Sequence, residues 1–133
     1  MKKIILAGCA IVENNAILLL NRKKTGWYEL PGGKIDSGES AEEAAKREIK
    51  EELGCDVEIV RRLGEKDFEE NGYVMGYTWF LARTKGQPEI QEPDKFDHLK
   101  YVPLNELRKH TLSANMRNLA DKLEKGLLDN KDL

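Results

Sequence analysis

The chain has little from which to build cross-links or soft-metal sites. Only two cysteines and two histidines occur among its 133 residues, and His98 and His110 show no ligand spacing. Cys9 lies in an apolar run and Cys55 closes a helical segment, so both read as small core residues. Neither suggests a disulfide or a metal pair, which suits a reducing cytoplasm. Charge of one sign is also missing. Twenty-two basic against 24 acidic residues leave a formal charge of -2, and no long block of either sign marks a tail. General attraction to nucleic acid or to an anionic membrane is therefore not expected. No stretch approaches the ~20 apolar residues of a membrane span. The opening MKKIILAGC resembles a bacterial lipoprotein signal, but only about four apolar residues precede Ala-Gly-Cys, where an export core needs roughly 7 to 15. Cleavage there would also remove the first strand.

What is present suits one soluble, globular domain spanning residues 1–133: 40% of residues are hydrophobic and 35% charged, with no repeat or linker. Ile4 to Val12 is a near-continuous apolar run, the pattern of a strand covered on both faces. Asn14-Asn15 then signals a turn into a second strand, Ala16 to Leu20. Trp27 to Leu30 reads as a short strand ended by Pro31. Asp56 to Phe68 and Tyr73 to Arg83 read as strands around the turn Glu69-Glu70-Asn71-Gly72, and His98 to Val102 as a last short one. From Ser113, Met116, Leu119, Ala120, Leu123 and Leu127 recur at helical spacing. Residues after Leu128 are expected to fray. Two helices bracketing a mixed sheet give an α/β fold, a three-layer α/β/α sandwich.

The informative stretch is Gly33 to Cys55, GKIDSGESAEEAAKREIKEELGC. Ser40 followed by Glu43 is a capping box, which starts a helix there. Gly54, able to take the left-handed conformation, ends it. Within that helix Glu48, Glu51 and Glu52 stand at i, i+3 and i+4, so the three carboxylates share one face. A solvated face with Glu43–Arg47 and Arg47–Glu51 pairs would explain the helix taken alone. As a cluster, the same carboxylates suit a hard divalent cation.

The order of residues decides between the two readings. Gly33, Glu39, Arg47-Glu48, apolar Ile49, Glu51-Glu52, Gly54 and small Cys55 fall at the spacings of the Nudix box, and the stretch resembles that of the Nudix hydrolases over residues 33–55. Seven such polar or glycine positions would match by accident with odds on the order of one in a hundred thousand. The preceding AILLLNRKKTGWYELPGGK is similar to the strand, basic residue, tryptophan and PGGK entry of the MutT-like branch.

The resemblance implies the Nudix fold and hydrolysis of a phosphoric anhydride bond in a small nucleotide. It implies Mg²⁺, with Mn²⁺ able to substitute, held by Glu51 and Glu52, by Glu48 and by the carbonyl of Gly33. Glu92, in the later loop IQEPDK, is an additional ligand or an alternative base. Glu48 is then the general base, Arg47 braces the carboxylates, and Glu39 ties down the loop and helix entrance. Arg22, with Lys23 beside it, corresponds to basic residues that bind substrate phosphates. Asn115 resembles an asparagine that reads a purine base, and Tyr77 and Phe80, together with Trp79, are candidates for stacking on it. Family members often dimerise, so a homodimer is compatible.

The favoured substrate is a nucleoside triphosphate, released as monophosphate and pyrophosphate. Two rivals are an ADP-ribose hydrolase, which often has a proline where this chain has Asn71-Gly72-Tyr73, and a dinucleoside polyphosphate hydrolase, for which Tyr73 would be the matching tyrosine. A third is a Nudix-fold nucleotide sensor, which usually lacks some of the box carboxylates that are all present here.

Overall fold

The computed structural model describes residues 1–133. Its elements run β1 (Lys3–Glu13), β2 (Ala16–Arg22), β3 (Tyr28–Glu29), β4 (Gly32–Lys34), α1 (Ala41–Leu53), β5 (Asp56–Glu70), β6 (Tyr73–Lys85), β7 (Phe96–Pro103) and α2 (Ala114–Glu124), with short 3₁₀ turns at Leu104–Lys109 and Asn130–Asp132. No helix is long and apolar enough to cross a membrane.

The sheet is mixed and forks at β1. One edge of β1 pairs in parallel with β6, Lys3 to Ile11 against Val74 to Ala82, and β5 continues the sheet antiparallel to β6. The other edge is shared. Leu6 to Gly8 pair with β4, whereas Val12 and Glu13 pair with the start of β2. Asn14 and Asn15 turn that corner with φ of 52° and 61°, a left-handed pair that matches the twist of a tight hairpin. Beyond the corner β2 leaves β1 and pairs with β7 and β3. The two arms are therefore separate sheets for most of their length.

Alternation along the central strands divides the core. Ala7, Cys9 and Ile11 of β1, Leu18 and Leu20 of β2, and Phe80 and Ala82 of β6 lie beneath Ala44, Ala45, Ile49 and Leu53 of α1. Their neighbours Ala10, Val12, Ile17, Leu19, Trp79 and Leu81 pack on the other face with Met116, Leu119 and Ala120 of α2. This is the three-layer sandwich expected from a strand apolar on both faces.

Three local expectations are corrected. The strand that Pro31 was expected to end is followed at once by another, since Gly32 to Lys34 form β4 because the free edge of β1 supplies their partners. Helix α2 ends at Glu124, so Leu127 packs against the core from beyond it. Residues 130–132 do not fray: Asp132 is 2% exposed, and its carboxylate accepts from Arg61 Nη1 and Nη2 at 2.7 and 2.9 Å.

Candidate active site

Both ends of α1 are fixed by its own sequence. Ser40 Oγ accepts from Glu43 N at 3.1 Å, and Glu43 Oε1 accepts from Ser40 N at 2.9 Å. At the other end Gly54, at φ 69°, donates its N–H to the Lys50 carbonyl. Helix α1 packs on β4 as well as on β1, which brings two of the three glutamates onto the glycine turn. Glu52 is only 5% exposed, and its Oε1 accepts from Gly32 N at 2.8 Å. The Glu48 carboxylate lies on Gly33 so closely that a Cβ there would stand 2.5 Å from its Cδ. A side chain at Gly33 fits only if the Glu48 carboxylate moves aside.

Arg47 binds the acidic side chains to one another. Its Nε and Nη2 donate to the two Glu39 oxygens at 2.7 and 3.0 Å. Nη1 donates to Glu48 Oε1 at 3.0 Å and to both Glu51 oxygens at 3.2 Å. Nη2 also reaches the Lys34 carbonyl at 3.0 Å. Glu39 in turn accepts from Asp36 N at 2.8 Å, holding the loop before the helix. The guanidinium of Arg47 beside Glu39 keeps that carboxyl below its usual range.

Glu52 is pushed well above the ordinary carboxylate range by burial. The Gly32 N–H opposes that shift, and the charges of Glu48, Glu29 and Glu92 add to it. Burial raises Glu48 too, against Arg47. Glu92 is brought near by a segment bonded to the end of α1, with Glu89 N on the Leu53 carbonyl at 2.9 Å and Gln91 N on the Glu52 carbonyl at 3.0 Å. An all-oxygen donor set with crowded, partly buried negative charge fits a hard divalent cation. The side chains are not fully gathered here. Glu51 remains 53% exposed and turned onto Arg47, and no three Asp, Glu, His or Cys groups meet at coordinating distance.

From the glycine turn a cleft of about 440 Å³ runs between the two arms of the sheet. Tyr28 of β3 is bonded to Thr111 and Ser113, which draws the start of α2 to the cleft's far end. There Asn115 lines the cleft, and its Oδ1 accepts from Trp79 Nε1 at 2.8 Å. An indole can only donate, so the amide orientation is set and Nδ2 is left for the cleft. Phe68 and Met75 give an apolar wall.

Several expected contacts differ in the structure. Phe80 does not reach the cleft. It follows Trp79 on a strand, so it points to the opposite face and packs under α1. Tyr77 lines the cleft but is 5% exposed, with its ring beside that of Trp79 at 6.0 Å between centroids. Its ring face is part of the core and not a stacking platform. Arg22 reaches the cleft with its fork already on Glu29, Nη2 to Oε2 at 2.9 Å. Lys23 is exposed outside the lining, to which Lys24 and Lys34 contribute instead. Tyr73 is 42% exposed and also lies outside it.

Glu29 is the functional candidate that sequence reasoning missed. It accepts from Arg22 and from Trp27 Nε1, the latter at 2.8 Å, on the cleft wall. The available signal was an acidic residue set between Tyr28 and Leu30, just before the glycine turn.

Residues 3–123 match the NUDIX domain family. An ADP-ribose pyrophosphatase of Methanocaldococcus jannaschii is 35% identical over 105 residues, 74% of this chain and 61% of its own length. An 8-oxo-dGTP diphosphatase of Escherichia coli is 31% identical over 111 residues, 79% of this chain and 86% of its own. The crystal structure of a MutT NUDIX hydrolase from Burkholderia pseudomallei superposes with a TM-score of 0.84 at 34% identity, covering 91% of this chain and 98% of that one.

Proposed function

The chain belongs to the NUDIX domain family, and from that premise we propose that residues 1–133 form one hydrolase domain that cleaves a phosphoric anhydride bond in a nucleoside diphosphate-linked compound. The substrate we assign is a nucleoside triphosphate, and the products are nucleoside monophosphate and pyrophosphate. The observation that carries this reading is the seating of Glu48 and Glu52 on the Gly32-Gly33 turn, which lines a cleft of about 440 Å³. The Escherichia coli relative, most of whose length the chain spans, supports a triphosphate over ADP-ribose. Two buried free cysteines suit action in the cytoplasm.

In this mechanism Glu48 is the general base and takes the proton of the attacking water. Arg47 holds that carboxylate in place, and Glu39 holds Arg47. Glu51 and Glu52 would be the main ligands of a divalent cation, joined by Glu48 and the Gly33 carbonyl, with Glu92 as an alternative or additional one. When bound, a divalent cation, which we assign as Mg²⁺ with Mn²⁺ able to replace it, polarises a phosphoryl oxygen and offsets charge on the leaving group. Lys24 and Lys34 meet the phosphate chain from the cleft wall. Asn115 presents its amide nitrogen to the base.

The test is a panel of ATP, GTP, oxidised dGTP, pyrimidine triphosphates and ADP-ribose with Mg²⁺ and product identification. Triphosphate turnover to monophosphate and pyrophosphate is expected. Turnover of ADP-ribose alone would overturn the substrate assignment, and nucleotide binding without turnover would make the protein a sensor.

A further inference from the structure

The hydroxyl of Tyr77 has no assigned role, and its surroundings are unusual. It lodges where two glycines leave room, since a Cβ on Gly8 would stand 2.2 Å from Oη and one on Gly32 2.5 Å. The ring is buried in the core, so the hydroxyl cannot swing away. No buried side-chain nitrogen or oxygen lacks a hydrogen-bond partner. Because Tyr77 Oη has no partner within the protein, it must open on the cleft that Tyr77 lines. A phenol oriented this firmly without a partner is a donor prepared for something that enters.

Its position indicates what that is. Gly32 gives its N–H to Glu52, and Gly33 carries the Glu48 carboxylate. Asn115, by contrast, lines the cleft beside α2. A nucleotide with its phosphates at the glycine turn and its base at Asn115 passes Tyr77 where the phosphate chain leaves the turn. Burial first, and then the charges of Glu52, Glu29 and Glu48, raise the pKa of this phenol. They favour the neutral hydroxyl, a donor, over the phenolate.

We propose that the Tyr77 hydroxyl donates a hydrogen bond to a non-bridging phosphoryl oxygen of the bound nucleotide, on the base side of the glycine turn. The proposal rests on the nucleotide reading above, and its test separates the two. Tyr77→Phe keeps the ring and removes only the donor. Titration of Mg²⁺ and a non-hydrolysable α,β-methylene nucleotide is compared between wild type and Y77F, alongside kcat/KM for GTP, ATP and dGTP. A hydrogen bond to a charged oxygen corresponds to a loss of roughly tenfold to a hundredfold in affinity and in kcat/KM. That loss should be the same for all three bases and sugars. An unchanged affinity, or a loss confined to the ribonucleotides and therefore due to the 2′-hydroxyl, would overturn the phosphate contact. If the wild type hydrolyses nothing in the panel, the hydrolase reading falls, and the analogue titration still decides the role of Tyr77.

Discussion

The side chains that the two helices bring to the site are held over different reaches of the chain. Every cap of α1 and most partners of its central arginine lie within a few positions along the chain: Ser40 with Glu43, Gly54 with Lys50, and Arg47 with Glu39, Glu48 and Glu51. Helix α2 is also capped locally, by Ser113 Oγ accepting from Met116 N and by the Lys125 N–H donating to the Lys122 carbonyl. Its functional contact joins Asn115 to Trp79, 36 positions away, and the turn after it is pinned by Arg61 to Asp132 across 71. Under the proposed function, the chemistry is assigned to the helix whose arginine contacts are mostly local, and base recognition to the helix held by distant partners.

The largest expected effect breaks the α1 side alone. Glu48→Gln should lower kcat by about 10²- to 10⁴-fold at saturating Mg²⁺ while leaving binding of a non-hydrolysable nucleotide largely intact. Because burial disfavours the charged Glu48, the variant should melt no lower than wild type when no divalent cation is added. Near-normal turnover by E48Q would move the base elsewhere, with Glu92 the first candidate.

A smaller loss should follow Gly33→Ala, whose methyl group must displace the Glu48 carboxylate. Disturbing the support of a metal ligand typically costs about 10- to 100-fold in metal affinity, so the Mg²⁺ titration should shift to higher concentration by that factor. An unshifted titration would mean that the close approach of Glu48 to Gly33 is not required for metal binding.

Asn115→Asp sharpens the comparison from the α2 side. The wild-type amide offers donors to the base, which suit the O6 and N7 acceptors of guanine better than the N6 amino group of adenine. The carboxylate still accepts from Trp79 and offers only acceptors to the cleft, so the GTP/ATP ratio of kcat/KM should fall roughly tenfold. A ratio unchanged by N115D would remove Asn115 from base recognition and leave its bond to Trp79 purely structural.

The same contrast explains what was legible in the residues alone. The capping box, the Gly54 terminus and the asparagine turns follow from local stereochemistry, and they stand as expected, whereas of the three glutamates Glu48 and Glu52 lie on the glycine turn and Glu51 is turned onto Arg47. Which face of β6 meets the cleft depends on register with β1 and β5, so Phe80 falls under α1 and the Tyr77 ring falls in the core instead of offering a stacking surface. Strand β4 was hidden because glycine has poor strand propensity, and its pairing is imposed by an edge 24 to 28 positions earlier, from Gly8 on Gly32 to Leu6 on Lys34. Glu29 was missed for a related reason. Its partners Arg22 and Trp27 are near in sequence, but the cleft they line exists only once the sheet has forked.

The smallest effect concerns the long-range anchor behind α2. Asp132 has its pKa lowered from 3.8 to about 2, chiefly by its hydrogen bonds from Arg61. An acid whose folded pKa is depressed contributes stability above its unfolded pKa and loses it as pH falls through the folded one. The contribution should therefore be complete above about pH 4 and fade towards pH 2. Arg61 is 37% exposed, so solvent screening limits the pair, and Asp132→Asn should cost about 1–2 kcal/mol near neutrality. Denaturant midpoints of wild type and D132N should differ at pH 7 and converge as pH approaches 2. Nucleotide turnover should be unaffected, because no contact of α1 or the glycine turn involves Asp132. A loss of turnover in D132N at neutral pH would show that the anchor behind α2 reaches the chemistry, and the separation of the two helices would fail.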